Sequence, residues 1–344
     1  MIIGICGYGF TGSGAVLGLL KEYDEPQVFD NAEIQEAFKV DGLQDLEYHL
    51  TKQYSRHISG DAAIKRFLDA RGFYKIPMMK KIISPSDYYR ISSEFINKLI
   101  QAEWYGIDNY DYSTKRPIYN FIVLVLKKVW FPLYEKITGS SYKQWPARKM
   151  YLSIKPDEFY NEAINYTNRL ICAMGADLSK DIVLDQLFEA NAPWNSFPFF
   201  SSPKAIVVDR DPRDVFLLAK YGKKASAETR FMPREDVETF VNYYKNLRLD
   251  KRIDDDRILY IQFEDLIYNY EIVVKKIEMF LGYSLHIRPG KYFKPEISIF
   301  NTQLFKNPKY SKDKKEIDYI EKYLSEYLFD YSKYRTIEDF KRAF

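Results

Sequence analysis

The chain has 344 residues, 46% hydrophobic and 29% charged, the proportions of an ordinary soluble protein with room for one large α/β domain with insertions or for two domains. A net charge of +3 is too small to argue for a nucleic-acid partner. Cys6 and Cys172 stand far apart with no metal-ligand spacing and fit a reducing cytoplasm. In chain order, Met1-Ile-Ile-Gly-Ile-Cys6 predicts a short apolar strand; beginning at Met1, it leaves no room for a signal peptide. Gly7-Tyr-Gly-Phe-Thr-Gly-Ser-Gly14 then predicts a turn, and Ala15 to Glu22 a helix. Strand, glycine turn and helix N-terminus in that order make an anion site, to which Thr11 and Ser13 can add hydroxyl donors. The loop departs from a Walker A sequence, with Ser13 at the lysine position and Gly14 at the hydroxyl position; G-x-G-x-x-G also fits at Gly7, Gly9 and Gly12.

From about residue 45 to residue 180 the pattern is polar-aromatic and mostly helical, clearest in Ser92 to Tyr105, Ile118 to Ile137 and Pro156 to Met174. Phe121-Ile-Val-Leu-Val-Leu126 is strongly apolar, but Lys127 and Lys128 stop it short of a membrane span. The favoured reading is a buried helix; the other is an interfacial contact of Trp130, Phe131 and Tyr134 with anionic lipid. Ile182-Val-Leu-Asp185 is an apolar run ending in a carboxylate. Ala205 to Val208 predicts a buried strand that runs into Asp209-Arg-Asp-Pro-Arg-Asp214, where Pro212 marks the strand's end and Val215 begins a helix. That turn reads as an anion site or as a solvated ion-pair cluster. Ile258 to Ile267 and Val273 to Gly282 read as strand and helix, Gly282 as C-cap. Tyr292 to Lys315 is loop-like, and Glu316 to Phe329 a final helix. His49, His57 and His286 show no triad or metal spacing and read as surface residues. The aromatic content of 17%, with 30 Tyr and 24 Phe, fits either a sugar-stacking cleft or an AT-rich genome, the second being favoured.

The glycine loop and the Asp-Arg-Asp-Pro-Arg-Asp turn together resemble the sulfotransferases that use 3′-phosphoadenosine 5′-phosphosulfate (PAPS). Ile258 to Gly282 agrees, with the family's strand, Glu-Asp-Leu and helix ending in Phe-Leu-Gly. The resemblance implies an α/β, P-loop-type three-layer sandwich with a central, mostly parallel sheet. It would be a single domain over 1–344, with a helical insertion at about 45–180 and a C-terminal helix at about 316–329. It implies that Gly9, Phe10, Thr11, Gly12, Ser13, Gly14 and Ala15 cradle the 5′-phosphosulfate, and that Arg210 holds the 3′-phosphate. By position in the family, Asp185 is the catalytic base; capping of the following turn is its other reading, and Gln186 is placed to orient the acceptor. Two positions depart from the pattern: Phe10 stands where many members carry a lysine or arginine, and Leu218 where a serine follows the arginine. Lys220, Lys223, Lys224 or Ser226 could compensate for the second, and Lys80 or Lys81 for the first. Asn301, Lys306 or Lys309 could return over the nucleotide.

The leading expectation is a cytoplasmic, metal-independent, PAPS-dependent sulfotransferase acting on a hydroxyl of a cell-surface glycan or its precursor. It has no nucleic-acid partner and no transmembrane segment, with peripheral membrane contact left open. Its competitors are a non-catalytic nucleotide-binding homologue and a P-loop nucleotide kinase using Asp209 as magnesium ligand.

Overall fold

Short runs of apolar, largely β-branched residues pair side by side in the computed structural model, which describes residues 1–69, 82–106, 108, 117–139, 148–222, 231–250 and 252–337. The strands are β1 (Ile2–Gly7), β2 (Pro26–Glu33), β3 (Ala102–Gly106), β4 (Arg148–Leu152), β5 (Asp181–Asp185), β6 (Pro203–Asp209) and β7 (Ile258–Gln262). Among the described residues, the α-helices of six residues or more are α1 (Ser13–Leu20), α2 (Ile58–Asp69), α3 (Pro85–Leu99), α4 (Pro117–Val125), α5 (Phe131–Thr138), α6 (Phe159–Ala173), α7 (Pro212–Tyr221), α8 (Val237–Asn246), α9 (Phe263–Tyr268), α10 (Tyr270–Leu281) and α11 (Lys314–Tyr323). The chain divides into two compact units, residues 1–37 with 175–344, and residues 38–174.

In the first unit five strands form one sheet in the order β2-β5-β1-β6-β7, all parallel. The expected α/β architecture is present, its sheet parallel throughout. β1 is central, with Ile2 opposite Ile182 on one side and Pro203 on the other. The chain leaves β1 towards β2 on one flank while β6 and β7 extend the other, which puts the topological switch at the carboxyl end of β1. Ile3, Ile5, Val183, Ile206 and Val208 pack under Val16, Leu19 and Leu20 of α1 and Ile277 of α10. A second cluster, Phe216, Phe240, Tyr244, Ile317 and Ile320, joins α7, α8 and α11. α10 ends at Gly282 with φ 78°, the left-handed cap its sequence predicts. The last helix stops at Tyr323, short of Phe329, because Leu324 leaves helical geometry at φ −120°.

In the second unit, α3 and α6 meet through Phe95 stacked on Tyr166 at 4.7 Å, with the Ser92 and Tyr166 hydroxyls 3.2 Å apart. Residues 92–105 are not one helix. Ile100 turns extended, and Ala102–Gly106 pairs antiparallel with Arg148–Leu152, so cross-strand pairing overrides the helical pattern. The expectation of a buried helix at Phe121–Leu126 fails too: Val123 is buried, while Phe121, Ile122, Leu124 and Val125 are exposed. Among the described residues no helix is long and apolar enough to cross a membrane.

Candidate functional site

β5 and β6 flank β1, so Asp185, which ends β5, and Arg210, which follows β6, stand on opposite sides of the glycine loop. The loop is fixed by its own polar groups. Thr11 Oγ1 accepts the Tyr8 N–H at 3.1 Å. Gln186 accepts the Gly7 N–H at 3.2 Å and donates to Ser13 Oγ at 3.1 Å, so its amide braces the loop. Gly12 sits at φ 97°, and a Cβ there would collide with the Phe263 ring. This turn delivers the chain into α1 with no side chain capping the helix. First-turn N–H groups lack intrahelical acceptors and carry the positive end of the dipole, so they attract an anion. Among the described residues, no atom outside α1's own nearby backbone comes within 4 Å of where a Gly14 Cβ would stand, so space lies open in front of this turn.

Arg210 faces the same space and is only 4% exposed. Nη1 donates to the Phe10 carbonyl at 3.2 Å, Nη2 to the Asn301 carbonyl, and the guanidinium lies 4.6 Å from the Phe263 ring centre. Nε is buried with no partner among the described residues. Its neighbours on the turn are otherwise occupied. Asp209 accepts from Arg248 at 2.6 Å and Arg252 at 2.9 Å, which leaves it poorly placed as a metal ligand. Asp211 caps α7 and takes the Arg213 fork at 2.9 and 2.7 Å. Asp214 accepts the Gln303 and Leu304 N–H groups. Behind the turn, burial and the Asp211 charge push Glu264 up to about 8, against the pull of Arg210. The same two causes raise Asp214. With its proton held up to about 8, Glu264 compensates Arg210 less than an ionised carboxylate would, which favours an external anion at that guanidinium.

These groups open on a cleft of about 700 Å³, lined among others by Phe10, Gly14, Arg210, Phe263, Lys294 and Ser298. Of the residues expected at the nucleotide, Phe10, Gly12, Gly14, Ala15 and Arg210 line the cleft, while Gly9, Thr11 and Ser13 shape the loop around it. Phe10 meets it with φ 57° and its ring stacked on Phe231 at 6.1 Å. Leu218 lines it as well, buried, where a serine was expected. Lys220 does not compensate, being paired with Asp313 at 3.0 Å and Glu316 at 2.7 Å. Lys306 bonds Gln303, and neither it nor Lys309 reaches the cleft; Asn301 does, through its carbonyl. Lys80, Lys81, Lys223, Lys224 and Ser226 fall outside the described residues.

Sequence reasoning missed Lys294 and Ser298, although both sit in the loop-like stretch it singled out. Glu22 sets that stretch in place. It is fully buried at the end of α1 and accepts the N–H groups of Gly290 at 3.1 Å, Tyr292 at 2.8 Å and Phe293 at 2.9 Å. His286 is its fourth partner at 2.6 Å and stacks on Tyr23, so it is no free surface histidine. Burial alone would raise the Glu22 carboxyl, but these donors outweigh it and hold it below the usual range. On the other side of the loop, Asp185 is half-buried and opposite Glu33, and its Oδ1 has no partner among the described residues. Burial first, then the Glu33 charge, pushes it up to about 6. Among the described residues no cluster of three His, Cys, Asp or Glu could hold a metal ion.

No protein-family model matches the sequence, and no curated protein does. Three solved structures to which the chain is similar are sulfotransferases. The sulfotransferase domain of the Synechococcus PCC 7002 olefin synthase is 10% identical over 83% of this chain and 74% of its own, with a TM-score of 0.36. The sulfotransferase domain from the curacin biosynthetic pathway is 11% identical over 94% and 97%, with a TM-score of 0.37. Sulfotransferase STF9 from Mycobacterium avium is 11% identical over 97% and 77%, with a TM-score of 0.35. At so low a similarity, function has to be read from the site.

Proposed function

We propose that the protein is a PAPS-dependent sulfotransferase that moves a sulfuryl group to a hydroxyl of a carbohydrate. The observation that carries this reading is Arg210: a buried guanidinium whose Nε has no partner among the described residues, backed by a carboxyl that holds its proton up to about 8, opening on the cleft that the uncapped N-terminus of α1 also faces. Two anion-seeking features across one cleft suit a ligand with two separated anionic groups, as PAPS has. In this reading the amides between Gly9 and Ala15 receive the 5′ group, and Arg210 turns from the two carbonyls it now grips towards the 3′-phosphate. Lys294 and Ser298 stand in for the serine absent at Leu218. PAPS itself supplies the activated sulfuryl group. The chain's part is to aim fixed N–H donors at that group's oxygens and, at Asp185, to take the acceptor's proton. The carbohydrate acceptor is carried over from the family resemblance, and the chain's abundant aromatic rings are compatible with it because pyranose faces stack on rings.

Calorimetry with 3′-phosphoadenosine 5′-phosphate tests the assignment. Arg210→Ala is expected to weaken binding by roughly 100-fold, the loss of charged hydrogen bonds to a phosphate. Unchanged affinity overturns the reading. Transfer of labelled sulfate from PAPS to glycan fractions, compared with other hydroxyl acceptors, tests the acceptor class.

A further inference from the structure

The segment Pro117–Thr138 carries apolar side chains that nothing in the sulfuryl-transfer reading employs. α4, a π-helical turn over Leu126–Trp130 and α5 make it helical throughout. In α4, at about 100° per residue, Ile118, Phe121, Ile122, Leu124 and Val125 fall within an arc of about 160°. All five are exposed, Ile118 at 69%, and Val123, on the opposite side of the helix, is 1% exposed. One face is thus held by the protein while a wide apolar face meets water. Val129, Trp130, Leu133 and Ile137 continue the exposure into α5, Ile137 at 73%. Lys127, Lys128 and Lys136 against Glu135 give the described segment a charge of +3 − 1 = +2.

We propose that Pro117–Thr138 is an interfacial helix that lies in the plane of an anionic lipid surface. The five α4 side chains enter the acyl boundary, Lys128 and Lys136 meet headgroup phosphates, and Trp130 sits at headgroup depth. Two features favour lipid over protein. The exposed apolar arc of about 160° adjoins Lys127, Lys128 and Trp130, the combination of apolar face, basic residues and interfacial aromatic that marks a helix lying in a lipid interface. A second copy docking the same face through a two-fold axis would bring two +2 segments together, a repulsion that phosphates replace with attraction. The apolar stretch is too short and too interrupted to span, which leaves the in-plane mode.

The test is co-sedimentation of the full chain with vesicles of phosphatidylglycerol and phosphatidylcholine, against phosphatidylcholine alone. Binding to the anionic vesicles is expected, weakening with salt, with a blue shift in tryptophan emission that Trp130→Phe removes. The double variant Phe121→Asp with Leu124→Asp is expected to lower the partition coefficient by roughly tenfold or more, since exposed apolar area drives insertion. If that variant does not fold, as judged by circular dichroism, Lys128→Glu with Lys136→Glu is expected to abolish the preference for anionic vesicles. Three results overturn the proposal: no binding of the wild type to anionic vesicles, equal binding by a folded variant, or a wild-type dimer in lipid-free sedimentation equilibrium that the apolar double variant dissolves.

Discussion

Asp185 ends β5 with one carboxylate oxygen buried and without a partner among the described residues, and burial together with Glu33 moves its titration to about 6. A base must be deprotonated to act, so turnover is expected to fall roughly tenfold per pH unit below about 6 and to level off above it, measured as kcat/KM. Asp185→Asn is expected to cut kcat by a factor of about 10²–10⁴ while leaving affinity for 3′-phosphoadenosine 5′-phosphate unchanged. Loss of affinity alongside rate would make Asp185 a loop-shaping residue instead. Glu264 gives a different signature. Its carboxyl keeps its proton to about 8, against about 4.5 when the chain is unfolded, so between those values the folded state binds the extra proton. Stability is therefore fully present below about 4.5 and is lost as pH rises through 8. Glu264→Gln, which is neutral at every pH, is expected to melt higher than wild type at pH 8.5. Near pH 5 the difference should be small; a constant difference across pH would show that Glu264 is ionised throughout.

Among the elements, the strands and the glycine turn are legible in the sequence because each is a local pattern. Ile2–Gly7 and Pro203–Asp209 carry the apolar runs of buried parallel strands, and Pro212 and Gly282 mark their helix ends by backbone chemistry alone. What could not be read is what depends on distant partners. Gln186 braces a loop almost 180 residues earlier, and Glu22 holds amides about 270 residues later. Nothing in the few residues around either one carries that information. The apolar Phe121–Leu126 run misled for the converse reason: apolarity measures preference for leaving water and does not say whether protein is what takes it in. Glu22 yields a test at this scale. Glu22→Ala leaves three backbone N–H groups without their acceptor, which is expected to cost about 2–4 kcal/mol in denaturant unfolding. It should also speed hydrogen exchange at Gly290, Tyr292 and Phe293 and weaken nucleotide binding through the displaced Lys294.

For the whole molecule, the order β2-β5-β1-β6-β7 interleaves the two ends of the chain. Both neighbours of β1 come from beyond residue 180, so the first strand has no sheet to join until most of the sequence is present. A fragment of residues 1–174 is expected to lack the parallel sheet, giving no strand signature for 1–37 in circular dichroism or exchange. Adding residues 175–344 in trans is expected to restore it. Such non-local pairing also predicts refolding on the slow side of the range for its size.

The two carbonyls that Arg210 grips belong to Phe10 and Asn301, one from each end of the interleaved chain. Every amino acid presents a carbonyl, so this latch does not depend on which side chains stand at those positions. Mutation can therefore wander at 10 and 301 without releasing the arginine, within the limits of a left-handed backbone at Phe10. A phenylalanine where a lysine was anticipated need not signal decay of the site. It marks a position whose latch on Arg210 is made by the peptide group, while its ring packs separately, stacked on Phe231 at the cleft.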